Sequence, residues 1–258
     1  MKNFDELIEI VKKLRNPKDG CPWDIKQTSK SLIPNFIEEL YETVEAIENE
    51  DYSEIKEELG DLLLHIVFQA LIGEEKNELN FNEILQNINN KLIRRHPHVF
   101  DNLNVANVQE VQKNWELIKQ NEKKATRHSV IDGIPKSMPA LIIAYRMQEK
   151  AASVGFDWPS SEPVLDKIRE EIDELEVEII NKNKELMEEE MGDLLFSIVN
   201  LCRKHEIDSE SALRIANKKF EQRFKQIEKY YKENNLDIKN STLEQLDEIW
   251  ENVKKTEK

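Results

Sequence analysis

The chain has 258 residues, 37 of them basic and 52 acidic, for a formal net charge of −15. Its six glycines, about 2% against a usual ~7%, argue against hairpin-rich sandwiches and glycine-cradled phosphate loops, both of which need positive φ. The charge opposes duplex DNA or RNA, whose phosphates are bound mainly by lysine and arginine, and the longest charge-free apolar run, Leu62 to Gly73, is too short to span a bilayer.

Apolar spacing predicts helices in sequence order. The first carries Phe4, Leu7, Ile8, Val11 and Leu14, and the second runs from Ile33 to Ile47. A third spans Ile55 to Ala70, a fourth Ile84 to Leu92 and a fifth Val108 to Ile118. Lys123 to Pro139 breaks the pattern with Gly133, Pro135 and Pro139. It then resumes over Leu141–Ala151, Leu165–Ile179, Leu186–Cys202, Ala212–Tyr231 and Leu243–Val253, with Ser209 and Ser241 expected as N-caps. The fold class is all-α.

The restart is a repeat. A shift of 132 places Glu-Glu-Leu-Tyr-Glu (38–42) on Glu-Glu-Ile-Asp-Glu (170–174), and Glu-Leu-Gly-Asp-Leu-Leu (58–63) on Glu-Met-Gly-Asp-Leu-Leu (190–195). Nearby shifts pair Pro-Trp-Asp (22–24) with Gly-Phe-Asp (155–157), Lys91 and Arg95 with Lys219 and Arg223, and Trp115 with Trp250. The expected organisation is two tandem helical domains, 1–124 and 137–258, joined by a linker over 125–136. Cys21 and Cys202 form no CxxC pair, and the N-terminus carries acids where a signal peptide has its apolar stretch. The expectation is a soluble cytoplasmic protein with no nucleic-acid or membrane partner.

In each half two helices carry acids at i, i+3: Glu39/Glu42 with Glu58/Asp61, and Glu171/Glu174 with Glu190/Asp193. Residues three apart share a helix face, and a short connection makes the two helices antiparallel neighbours. If the pairs face each other, four carboxylates converge, and a cation must offset their repulsion. All-oxygen donors without histidine suit magnesium or manganese. Acids are 52 of 258 residues, so four named acidic positions arise by chance with probability on the order of 0.002. The set appears twice, each time with a 19-residue step between pairs. Gly60 and Gly192 sit inside these helices at a cost of about 1 kcal/mol each, which predicts a close approach by the partner helix or a ligand. His96 and His98 flank Pro97 in a pattern that more often caps or packs than binds metal; His65 is matched by Ser197, against an essential role.

These motifs resemble the MazG family of nucleoside triphosphate pyrophosphohydrolases, in the all-α NTP pyrophosphatase group. The resemblance covers the ExxE and ExxD pairs, Gly-Cys-Pro-Trp-Asp (20–24), Arg-Arg-His-Pro-His-Val-Phe (94–100) and the tandem layout. It implies magnesium-dependent hydrolysis of NTPs or dNTPs to a monophosphate and pyrophosphate by a homodimer. Glu171, Glu174, Glu190 and Asp193 are then metal ligands and catalytic residues. Lys167, Ile168, Arg169, Glu170 and Glu171, with Lys219, Arg223 and Lys254, match nucleotide-contacting positions, and Trp250 matches one beside the nucleotide. The first-copy counterparts are Glu39, Glu42, Glu58, Asp61, Lys91, Arg95, Trp115 and Lys119. Lys167 falls opposite Asn35, a lost charge that favours the second copy as the working site. From the residues alone, the general base stays open among the four acids and Glu170. Trp250 reads equally as core or as a base-stacking ring. The rival functions are a dUTP- or dCTP-type pyrophosphatase and a non-enzymatic helical interaction module.

Overall fold

With apolar residues at helical spacing and so little glycine, helix is the only regular structure this chain can extend. The computed structural model describes residues 2–122 and 128–256, among which there are twelve α-helices and no strand. The chain divides into two units, Met1–Glu122 and Lys123–Lys258. The first holds α1 (Lys2–Leu14), α2 (Pro22–Lys26), α3 (Ile33–Glu48), α4 (Tyr52–Glu75), α5 (Phe81–Arg95), α6 (Pro97–Phe100) and α7 (Val108–Glu122). The second holds α8 (Ala140–Ala152), α9 (Glu162–Asn181), α10 (Lys184–Lys204), α11 (Ser209–Glu233) and α12 (Leu243–Thr256), with a 3₁₀ turn at Ile238–Asn240. All ten helices expected from periodicity are present. The two additional helices, α2 and α6, are five and four residues long, too short for a 3.6-residue period to register.

The centre of each unit is a helix pair, α3 with α4 and α9 with α10. Both connections are built alike. After α3, Glu50 takes φ 56° and the Asp51 carboxylate accepts from the N–H groups of Ser53 and Glu54. After α9, Lys182 takes φ 55° and the Asn183 side chain accepts from the Leu186 N–H. The two left-handed residues and the two caps are each 132 apart, so the repeat extends to turn chemistry. In the first unit α1 packs on α4, and Val11, Leu32, Val67, Phe68, Leu71 and Ile72 form its buried core. In the second unit Val164, Leu175, Val199, Ile227 and Tyr231 are buried, and α10 packs on α8 as well as α9.

Three expectations are corrected. Ser209 does not cap α11; Asp208 does, its carboxylate accepting from the Ser211 N–H at 2.6 Å. Ser241 does not cap α12 but ends the 3₁₀ turn. Thr242 instead exchanges hydrogen bonds with Gln245, the Gln245 side chain accepting from the Thr242 N–H at 3.0 Å and the Thr242 hydroxyl from the Gln245 N–H at 3.4 Å. The partner helix does not crowd Gly60 or Gly192, since a Cβ at either would meet nothing within 4 Å. The helical glycine that packing does require is Gly73, where a Cβ would lie 2.5 Å from the Leu79 side chain.

Of the expected linker, residues 125–127 lie outside the described residues, as do 123 and 124. From His128 the chain is folded onto the second unit. The Asp132 carboxylate accepts from the N–H groups of His128 and Ser129, and the buried Lys150 ammonium donates to the carbonyls of Val130 and Asp132.

Candidate active site

Residues 171 and 174 sit one turn apart on α9, and residues 190 and 193 one turn apart on α10, so the packing of these helices decides whether the acids meet. Carboxylate oxygens of Glu171, Glu174 and Glu190 all lie within 4.8 Å of one another. Asp193 falls outside that triad, yet its charge still raises the Glu190 pKa. Burial is the first cause of that rise, followed by Glu174, Glu171 and then Asp193. In the first unit the triad is Glu39, Glu58 and Asp61, and Glu42 is the acid left outside it. Glu39 is pushed above the usual carboxylate range by burial and then by Asp61, Glu42 and Glu58, and Glu58 by burial, Glu42 and Asp61. Three oxygens of like charge at this spacing, some with raised proton affinity, are what a hard divalent cation would relieve, and the all-oxygen donor set fits magnesium or manganese.

The copies differ in their compensating charge. Lys167 bridges Glu170 at 2.7 Å and the buried Glu171 at 2.9 Å, and these two acids hold its ammonium well above the ordinary lysine pKa. Ile168 is half-buried on the same turn, while Arg169 is exposed and pairs with Asp166. Opposite Lys167 stands Asn35. The first cluster has His65 as a neighbour instead, a nearly buried imidazole whose Nε2 lies 4.0 Å from Glu39 and whose ring packs on Phe36. Burial lowers the His65 pKa, against the pull of Asp61. Sequence reasoning set His65 aside because it is not repeated; its i+4 spacing from Asp61 was the signal that it shares that acid's face. His96 caps α5, its Nδ1 2.7 Å from the Leu92 carbonyl, with the His98 ring 5.7 Å away.

Apart from Lys167 and Arg169, the candidate cationic residues of the second copy lie on α11 and α12. Arg223 lies over the Trp250 ring at 5.4 Å, and the Phe220 ring packs against it at 5.3 Å with a tilt of 45°. Trp250 is half-buried rather than core, and a guanidinium occupies a face that a base would use. Lys219 is exposed one turn before Arg223, and Lys254 pairs with Glu251. In the first copy Arg95 and Lys119 both stack on Trp115, at 5.2 and 4.6 Å, and Lys91 is half-buried on α5. The Arg–Trp stack is thus repeated, worth about 0.5–1 kcal/mol at such sites. Arg95, however, is occupied by Glu122, whose carboxylate accepts from both Arg95 and Arg94 at 2.6 Å.

Hydrogen bonds from Arg95 and then Arg94 hold Glu122 at a pKa of about 2, against an ordinary 4.5. A depressed folded pKa means the stabilisation is complete above pH 4.5 and is lost as the pH falls toward 2. Arg94 is largely exposed, so the contribution is discounted to about 1 kcal/mol. Glu122→Gln is expected to lower the melting temperature of the first unit by a few degrees at pH 7, and the gap to wild type to narrow between pH 4.5 and 3. A gap independent of pH in thermal scans refutes the pairing.

The family model for the MazG nucleotide pyrophosphohydrolase domain matches residues 27–100 and 160–227, more than half the chain and one segment in each unit. The chain belongs to the MazG family. It is 44% identical to a nucleoside triphosphate pyrophosphohydrolase of Escherichia coli K12, covering the whole of this chain and 99% of that one. It is 47% identical to a nucleoside triphosphate pyrophosphohydrolase/pyrophosphatase MazG of Thermotoga maritima, over 97% of this chain and 95% of that one. A Mycobacterium tuberculosis nucleoside triphosphate pyrophosphohydrolase is 30% identical over 58% of this chain and 46% of its own. Both matched MazG segments contain an acid triad; the first runs past Lys91 and Arg95 to the end of α6, and the second ends within α11, which carries Lys219 and Arg223.

Proposed function

We propose that this MazG chain hydrolyses nucleoside triphosphates to the monophosphate and pyrophosphate at the second-copy acid cluster, with magnesium or manganese, as part of cytoplasmic nucleotide-pool housekeeping. The observation that carries the reading is the convergence of Glu171, Glu174 and Glu190 within 4.8 Å beside the lysine bridge. Family membership across the full length stands against the non-enzymatic module. When bound, a divalent cation would bring positive charge to phosphate oxygens and acidify a nearby water.

The chain's own groups do the rest. Glu171, Glu174 and Glu190 would hold the cation, with Asp193 one turn further on α10 completing the acidic face. Lys167 fixes Glu171 and keeps Glu170 beside the cluster, where a carboxylate outside the triad takes the proton of the attacking water. The water oxygen bonds to the α-phosphorus, the α–β bridging bond breaks, and pyrophosphate leaves with the electron pair. Lys219, Arg223 and Lys254 supply positive charge to that leaving group, with Trp250 holding Arg223 in place.

A homodimer belongs to the same reading. On α3 and α4, Phe36, Ile37, Leu40 and Leu59 are exposed, and on α9 and α10 so are Ile172, Met191, Leu195 and Ile198, more apolar surface than solvated faces usually carry. Among the described residues no helix is long and apolar enough to cross a membrane.

The test is product analysis. Incubation with each common NTP and dNTP plus Mg²⁺ or Mn²⁺ is expected to release equimolar monophosphate and pyrophosphate, and chelator to stop it. Release of orthophosphate and diphosphate, or no turnover of any triphosphate, overturns the proposal.

A further inference from the structure

The two acid clusters differ in the side chain one turn beyond the aspartate. On α4, Glu58, Asp61 and His65 follow at steps of three and four, one face of one helix, and on α10 the same steps from Glu190 and Asp193 end at Ser197. The first copy thus places an imidazole where the second has a hydroxyl. The histidine is only 8% exposed. Phe36, one turn before Glu39 on α3, packs on its ring with centroids 5.7 Å apart, which holds the imidazole between α3 and α4. Its Nε2 is turned toward Glu39, 4.0 Å from a carboxylate oxygen, and its Nδ1 is buried without a partner. At 4.0 Å the Nε2 contact is too long for a hydrogen bond, so burial deprives both ring nitrogens of water with no hydrogen bond in exchange. An imidazole buried on these terms costs stability, which an ion bound at the ring would offset.

The charge around it calls for the same ligand. In the second cluster Lys167 bridges Glu171 at 2.9 Å. In the first, Asn35 stands at that position, and among the described residues no lysine or arginine pairs with Glu39, Glu58 or Asp61. Their carboxylate oxygens nevertheless lie within 4.8 Å of one another. Compensation has to come from a cation in solution.

Geometry admits one ion bound by both carboxylate and imidazole. Metal–oxygen and metal–nitrogen bonds are about 2.1 Å long, so two donors on one ion can stand up to about 4.2 Å apart, and Nε2 and the Glu39 oxygen meet that limit. The donor type then sets the preference. Imidazole nitrogen strengthens binding of manganese, cobalt or zinc, whereas magnesium takes oxygen and gains little from it.

We propose that the first-copy cluster, with His65 Nε2 as a nitrogen donor beside Glu39, Glu58 and Asp61, is a binding site for a divalent transition-metal ion, unlike the oxygen-only cluster of the second copy in the metal it prefers. The site needs no turnover at either copy, so it stands or falls apart from the hydrolase reading, whose acids and lysine lie in the other unit. The test uses the full chain carrying Glu171→Gln and Glu190→Gln, which strip charge from the second cluster, freed of metal by chelator and titrated calorimetrically with Co²⁺ and with Mg²⁺. Adding His65→Gln, which keeps much of the volume but replaces the nitrogen donor, is expected to weaken Co²⁺ binding at least tenfold and to leave Mg²⁺ within about twofold. Pulsed electron paramagnetic resonance of bound Mn²⁺ reads the bond directly, with ¹⁴N coupling expected in the parent and absent in His65→Gln. Because His65 is buried, Glu39→Gln provides a second variant should His65→Gln not fold, and it too is expected to abolish the ¹⁴N coupling. No ¹⁴N coupling in the parent, equal losses of Co²⁺ and Mg²⁺ affinity in His65→Gln, or coupling that survives Glu39→Gln overturns the site.

Discussion

Replacing Glu171 and Glu190 together by glutamine is expected to lower kcat/KM for ATP by about 10³ or more, while the matching pair Glu39→Gln and Glu58→Gln leaves it within about twofold. Two of the three converging oxygens of the second cluster would lose their charge, and stabilisation of several kcal/mol at the transferred phosphoryl group corresponds to about three decades in rate. Glutamine keeps the volume of Glu171, which is only 4% exposed, so the substitution removes charge without opening a cavity. Relief of repulsion at Glu190 also guards against misfolding as the explanation: the metal-free variant is expected to melt no lower than wild type, and its melting temperature to rise less on adding Mg²⁺. The asymmetry between copies follows from Lys167, present beside the second cluster and replaced by Asn35 in the first, and from Arg95, already held by Glu122. Pyrophosphate release across a Mg²⁺ titration decides it. Comparable losses in both pairs would mean that the first cluster also turns over substrate, and no loss in the second pair would remove the acids from the chemistry.

The ten longer helices were legible because each shows several apolar residues on one face, and the acid pairs because i, i+3 spacing fixes their relative direction on any helix. What periodicity does not carry is the rotation of one helix against its neighbour. It is this rotation that leaves Asp193 out of one triad and Glu42 out of the other, though the sequence treats each set of four alike. The caps were misplaced by one residue for a local reason. Asp208-Ser209 and Ser241-Thr242 each offer two competent oxygens in a row, and the choice depends on where the chain enters the helix. At Gly60 and Gly192 the sequence suggests close approach by the partner helix or a ligand, and the structure removes the helix alternative, whereas Gly73, unremarkable in its apolar run, is pressed against Leu79.

Arg15→Met is expected to destabilise the first unit by about 2–4 kcal/mol, a large effect for a polar side chain outside the acid clusters. Arg15 follows α1 and is 8% exposed. Its Nε and Nη2 donate to the two oxygens of Glu75 at the end of α4, both at 2.7 Å, and its Nη1 donates to the carbonyls of Asp24 at 2.6 Å and Gln27 at 3.3 Å. One guanidinium therefore joins the end of α1, the α2 segment and the end of α4, three pieces that periodicity does not link. Methionine fills much of the volume but leaves the Asp24 carbonyl, on a residue only 9% exposed, without that donor. The loss of the Glu75 pair adds less, because that carboxylate is about half exposed and water replaces the arginine. For a unit of this size the melting temperature should fall by about 10 °C. Lysine at the same position should recover little of it, since one ammonium cannot reproduce a two-pronged contact and a carbonyl bond together. A fall of under 2 °C in Arg15→Met, or full recovery by lysine, would show that α2, which bears Trp23 and Asp24, is held by its own turn and by Pro22 instead.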